Sequence, residues 1–170
     1  NKWLLDDDEP LKLARLALAQ GLPVAVILTR IEGENIDAEK VYAQLTELFG
    51  PRAVPINLPD RFGPGVKEVS DIFGTEIPAD QKERAAELRQ QATDRIVECD
   101  EALLERYLVE GKVTLQELEA VYPRALRQGN IVPILHVSLE RGVGLKKLLS
   151  FVTHDCPKPS RVVLRKALDD

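Results

Sequence analysis

Apolar and polar positions follow two periodicities along the chain. Three short runs, LPVAVIL (22–28), AVPINL (53–58) and IVPILHVS (131–138), are rich in β-branched residues and bounded by Gly or Pro. They read as buried strands of a parallel sheet. Around them the apolar spacing turns helical: Leu11 to Gln20 before the first run, Val41, Leu45, Leu48 and Phe49 before the second, and Leu145, Leu148, Leu149 and Val152 after the third. This alternation predicts a doubly wound α/β domain with helices on both faces of the sheet. Pro55 and Pro133 lie inside two of the strand runs, where each removes a possible ladder hydrogen bond.

Residues 60–128 break the alternation. RFGPG (61–65) is turn chemistry, and from Ala79 to Leu108 the residues Leu88, Ala92, Ile96, Cys99, Leu103 and Tyr107 recur every three or four positions. One long or two short amphipathic helices are expected there. Thr114 with Glu117 three later forms a capping box that opens a further helix, with Leu118, Val121, Tyr122 and Leu126 on one stripe and Gly129 as its cap. Pro123 is expected to kink or split that helix. The division read from this pattern is a partial α/β core at 1–59, a mainly helical insertion at 60–128, the final strand and helix of the core at 129–158, and a linker or tail at 159–170.

A chain of 170 residues, 44% hydrophobic and 30% charged, suits one globular domain with an insertion. No apolar run approaches the ~18 residues of a membrane span, and NKWLLDDDEP lacks the basic flank of a secretory signal, so a cytoplasmic protein without membrane contact is expected. The chain has no methionine, even at position 1, which implies a segment of a longer or processed product. Cys99 and Cys156 form no CxxC spacing and no disulfide framework, and no metal site is expected from them.

Net charge is -5, which argues against general nucleic-acid or direct DNA binding, but the charge is divided. Glu76 to Glu119 holds 12 acidic against 6 basic residues, net -6, whereas Arg124 to Lys166 holds 2 acidic against 9 basic, net +7.

Neither GxxxxGK[ST] nor GxGxxG occurs, so the chain contains no loop of backbone amides built for phosphates and no hydroxyl set for magnesium. The glycines of RGVGL (141–145) read as the turn that starts a helix. His136 and His154 have no Ser or Asp partners at a recognisable nucleophile elbow and read as core and surface residues. The carboxylates between Glu76 and Glu119 read as the solvated face of amphipathic helices. No residue is assigned to catalysis.

The order of these segments resembles the translational GTPases, specifically the elongation factor G family. In that family a strand ends in NKxD, which recognises guanine, and is followed by a helix, a strand similar to VVPVQLPIG and a helical insertion called the G′ subdomain. AVPINLPDRFGPG (53–65) stands in the place of the second strand, and GVKEVSDIF (65–73) is similar to the family's G-x-x-D-hydrophobic stretch. From 88 to 160 the likeness continues through CDEALLERYLVEG (99–111), the IVP strand, Ser138, Gly142-Val143, Leu148-Leu149 and Pro157-Lys158-Pro159. It covers roughly residues 10–160.

The resemblance implies a partial P-loop-GTPase-like α/β sheet interrupted by a G′-like insertion, from a protein that binds GTP or GDP with magnesium and acts on the ribosome. It places the base at Thr29, Arg30 and Glu32 on one loop and at Ser138 and Leu139 on the other. Every NKxD recognition position differs: Thr29 lacks the asparagine amide, Arg30 can cover the base as lysine does, and Glu32 keeps the charge one methylene too long. Leu139 stands where a small alanine lets the backbone approach the purine. Weakened base affinity is the expectation, and a non-hydrolysing adaptor that keeps the fold as a protein-binding platform is the alternative. The family also implies that the insertion meets the basic domain of the ribosomal stalk protein, for which Glu83, Glu87, Asp94, Glu98 and Glu105 are the candidates.

Overall fold

The run at 131–138 becomes the centre of the sheet. In the computed structural model, which describes residues 8–156 and their side chains from Lys12 onward, β1 (Val26–Thr29), β2 (Ala53–Pro55) and β5 (Val132–Val137) form a parallel sheet in the order β1-β5-β2. β3 (Asn57–Pro59) and β4 (Val69–Asp71) make a separate antiparallel pair. The helices are α1 (Asp8–Ala19), α2 (Ala38–Phe49), α3 (Lys82–Val97), α4 (Glu101–Glu110), α5 (Leu115–Gln128) and α6 (Leu145–Ser150), the last running into a wide turn, Phe151–Asp155. The predicted α/β class with helices on both sheet faces is what forms. The side chain of Leu11, the Pro157-Lys158-Pro159 match and the 159–170 tail lie outside the described residues.

Alternation along β5 sorts the layers. Val132 and Ile134 pack with Leu45 and Phe49 of α2 and with Ala14 and Leu18 of α1. Ile131 and Leu135 face the other way, into Leu88, Ala92 and Ile96 of α3 and Leu118 and Leu126 of α5. At ~1.5–3 kcal/mol for each fully buried large aliphatic side chain, these two stripes are the main stabilising term. The helices of the 60–128 segment therefore supply one whole layer on the sheet rather than a separate core.

Pro133 is accommodated in a central strand by register. The Ile134 carbonyl turns to the β2 side, where it accepts the Ile56 N–H at 3.0 Å, so residue 133 turns to the β1 side. Pairing with β1 begins only at Val26 opposite Ile134, and the missing N–H of Pro133 forfeits no bond to that strand. The 53–58 run divides at Ile56 because Asn57 replaces the ladder with its side chain: its Oδ1 accepts the His136 N–H at 2.8 Å and its Nδ2 donates to the His136 carbonyl at 3.3 Å. That substitution frees the Asn57–Pro59 backbone to pair with β4.

The 79–108 periodicity resolves into two helices, divided where Asp100 caps α4 by accepting the Leu103 N–H at 3.0 Å. The Thr114–Glu117 capping box forms as expected. Pro123 does not split α5, which runs unbroken to Gln128; its one local consequence is that the Glu119 carbonyl receives no helical N–H from position 123. In α6 the predicted stripe is only partly used, since Leu149 and Val152 are exposed and Phe151, at 3% exposure, takes the core position. No helix among the described residues is long and apolar enough to cross a membrane.

Candidate functional site

Thr29 is in register with Val137 on the adjacent parallel strand, so the chain leaves β1 through Arg30 and β5 through Ser138 side by side. This is the carboxyl end of the sheet, the edge at which α/β domains place their ligands. The structure thus gathers Thr29, Arg30 and Glu32 on one loop beside Ser138 and Leu139 on the other.

The loop after β1 is a tight turn, closed by a 3.0 Å bond from the Gly33 N–H to the Arg30 carbonyl. Arg30 sits at φ 60°, a left-handed conformation that costs a residue with a Cβ about 1–2 kcal/mol. Its exposed side chain makes no ion pair among the described residues. Ile31 anchors the turn, with 2% exposure, and its carbonyl accepts the Gly63 N–H at 2.8 Å. Glu32 is half-buried, and its Oε2 is shielded from solvent with no hydrogen-bond partner. Leaving a buried acceptor unpaired costs ~1–3 kcal/mol.

The second loop is closed on itself. Ser138 and Val143 exchange backbone bonds of 2.9 and 3.0 Å, and the Ser138 Oγ accepts the Arg141 N–H at 3.1 Å. Ser138 is completely buried, whereas Leu139 projects from the loop with 66% exposure. Facing outward therefore falls to Leu139, and Ser138 holds the loop's shape.

Beneath both loops lies a cluster that the sequence pattern did not point to. His136, Tyr42 and Phe62 meet edge to face, with ring centroids 5.7–6.5 Å apart. The Nδ1 of His136 faces the Asn57 carbonyl at 2.9 Å and Asn57 Oδ1 at 3.0 Å, both acceptors, so Nδ1 carries the proton and Nε2 accepts the Tyr42 hydroxyl at 2.7 Å. Burial drives the imidazole down to about 4, keeping it neutral, and drives the Tyr42 hydroxyl up. Asn57, a polar residue inside an apolar run, was the one available sign; Tyr42 and Phe62 gave none.

The candidate acids Glu83, Glu87 and Asp94 of α3 and Glu98 at its C-cap are spaced by four, seven and four residues, which puts them on one stripe. Glu87 pairs with Arg84 at 2.9 Å, Glu98 with Arg95 at 2.7 Å, and Asp94 accepts the Tyr107 hydroxyl at 2.8 Å. Glu83 and, on α4, Glu105 are exposed. The described residues contain no group of three or more His, Cys, Asp or Glu that could hold a metal ion.

Fold and loops together define a doubly wound α/β domain with two adjoining loops at a topological edge. No protein-family model matches the chain. It is 29% identical over 155 residues to an elongation factor G-like protein of Thermotoga maritima, a match covering 86% of this chain and 23% of that protein. A crystal structure of a protein from Thermus thermophilus shares its fold with a TM-score of 0.74 and 30% identity, over 87% of this chain and 24% of the other. Over this stretch the chain is similar to an elongation factor G-like protein, and it spans about a quarter of the length of these relatives.

Proposed function

We propose that the two loops form the guanine-base half of a nucleotide site in an elongation-factor-G-like protein that works on the ribosome in the cytoplasm. The observation that carries this reading is the Glu32 carboxylate: a buried acceptor without a partner, at the end of β1 and beside the Ser138 loop. A guanine ring N–H and amino group are donors of the kind it lacks. Arg30, exposed and without an ion pair among the described residues, supplies a planar group to cover the base. Glu32 and Arg30 keep the charge and the planar group that a base would meet, with reach altered from the family's residues, so weak base binding is the expected strength; the sequence contains no phosphate-loop motif, so GTP hydrolysis and magnesium binding are functions of a protein that also supplies one.

The test is titration of a fluorescent guanine nucleotide onto the full-length protein. Saturable binding, resisted by adenine nucleotide and weakened at least tenfold by Glu32→Gln, is the expected result, since ~1.4 kcal/mol corresponds to a factor of ten and one charge-assisted bond contributes that much. Glu32→Asp, which restores the shorter reach, is expected to tighten binding. Absence of saturable binding at high micromolar nucleotide would favour the adaptor reading.

The acidic stripe gives the insertion the charge suited to a basic ribosomal stalk domain. Glu83 and Glu105 are exposed, so charge reversal at both is the sharpest test of that contact. Lost retention of stalk protein in a pull-down is the expected outcome; unchanged retention removes the stalk from the proposal.

A further inference from the structure

On the far side of the sheet from α1 and α2, a cavity of about 210 Å³ opens between the β3–β4 hairpin, the helices α3 and α5, and the final turn. Its apolar wall includes Ile56, Phe73, Ile96 and Leu118. Its polar groups are unevenly matched. Asp71, Glu119 and Asp155 bring three carboxylates against the single ammonium of Lys147, and that ammonium is already bound to Asp71 at 2.5 Å. The Asp155 carboxylate accepts no hydrogen bond among the described residues, although it is half-buried.

A further acceptor lacks a partner in the same place. The Tyr122 side chain lines the cavity, and its hydroxyl is buried without a hydrogen bond. Burial first, then the charges of Asp155, Cys156 and Asp71, raise that hydroxyl's pKa, which places Tyr122 within the field of the acidic pair and keeps it a neutral phenol. Next to Tyr122 on α5, Pro123 has no N–H to give the carbonyl of Glu119, one turn earlier, and both residues line the cavity.

We propose that this cavity is a binding site for a small primary organic amine, its ammonium held by Asp155 with the Tyr122 hydroxyl oxygen and its hydrocarbon portion lying on Ile96, Leu118 and Phe73. An ammonium offers three donors and one positive charge, and the cavity holds surplus negative charge and unpartnered acceptors beside apolar wall. An anion meets the carboxylates, and an uncharged guest leaves Asp155 unpaired in a half-buried setting. The proposal stands apart from the base site, since it uses no residue of either loop.

Three probes of equal chain length decide it on the unmodified protein: hexylammonium, hexanol and hexanoate, followed by calorimetry and by amide shifts in NMR spectra. Hexylammonium is expected to bind saturably, at least tenfold more tightly than hexanol, with hexanoate weaker still, and to move the amides of Asp155 and Tyr122. Asp155→Asn is expected to remove at least tenfold of that affinity, and Tyr122→Phe several-fold, with circular dichroism unchanged. Hexylammonium binding no tighter than hexanol, or shifts confined to residues away from the cavity, overturns the proposal whatever the variants do. Undiminished affinity in a folded Asp155→Asn protein overturns it equally.

Discussion

Alanine at position 144 is expected to lower stability by about 3 kcal/mol or more, from a left-handed cost of ~1 kcal/mol plus loss of several backbone bonds worth ~0.5–1.5 kcal/mol each. Gly144 has φ 77°, and a Cβ built there overlaps the His136 carbonyl oxygen and lies 3.3 Å from the Val137 Cα. Both neighbours are backbone of the central strand and cannot swing aside as a side chain does. Relief requires the 139–144 loop to lift, which breaks the Ser138–Val143 pair of bonds, or the His136 carbonyl to turn, which breaks its bond from Asn57. Gly142 is the internal control: its φ is 70°, but no atom lies within 4 Å of its Cβ position. Gly142→Ala therefore carries only the conformational cost of about 1 kcal/mol. Urea denaturation of the two variants measures the difference, and equal losses would show that the close approach to His136 is unimportant. Because the lifted loop is the one that carries Ser138 and Leu139, Gly144→Ala is also expected to weaken any ligand at that edge more than Gly142→Ala does.

The glycine illustrates what was readable from residues alone. Its place in RGVGL marked a helix start, which is correct for α6, but the demand for a missing Cβ comes from a strand that runs past it, and spacing carries no record of that approach. The strands and most helices were legible because apolar periodicity is a direct consequence of which side chains are buried. Val132, Ile134 and Leu135 are buried because both sheet faces are covered, hence the unbroken apolar run. Where expectation and structure part, a tertiary contact overrides a local rule. Pro123 passes inside α5 because the bond it forfeits falls at a helix carbonyl beside a cavity, and Pro133 passes inside a central strand because its missing N–H points to the side where pairing with β1 has not yet begun. The two loops of the candidate site were legible as positions, since they follow the first and last strands of a parallel sheet. Their chemistry was not: that Glu32 has an unpartnered oxygen, that Ser138 is spent on its own loop and that Leu139 projects outward depend on turns whose geometry three or four residues do not specify.

Lowering the pH from 7 toward 4 is expected to remove about 3 kcal/mol through His136 alone, since each unit of separation between two pKa values is worth ~1.4 kcal/mol. In the fold the imidazole titrates at about 4, against an ordinary value of 6.5, because burial penalises the cation. The folded state therefore holds the neutral ring while the unfolded chain takes up a proton between those two values. Stability is complete above about 6.5, falls as the pH drops through the window, and changes no further through this group below about 4. Other groups act elsewhere or in the opposite sense. Glu117 is held down to about 2 by hydrogen bonds from Thr114 and Arg106, so its contribution is lost only below the ordinary carboxylate range. Asp155 is raised by burial, so its neutral form favours the fold at low pH. Comparing the protein with His136→Gln at each pH cancels both, leaving the imidazole. The expected difference is a slope in unfolding free energy between pH 6.5 and 4 that the variant lacks, accompanied by an NMR titration of the His136 ring near 4. A ring that titrates near 6.5 in the folded protein would refute the assignment. Since Ser138 follows His136 by two residues, and since Tyr42 and Phe62 close over the imidazole, the acid-labile point of the sheet is also the support of the candidate base loop; the folded ring stays neutral through most of the window, so nucleotide affinity of the folded protein is expected to hold while stability declines and to fall only as the ring itself titrates near 4.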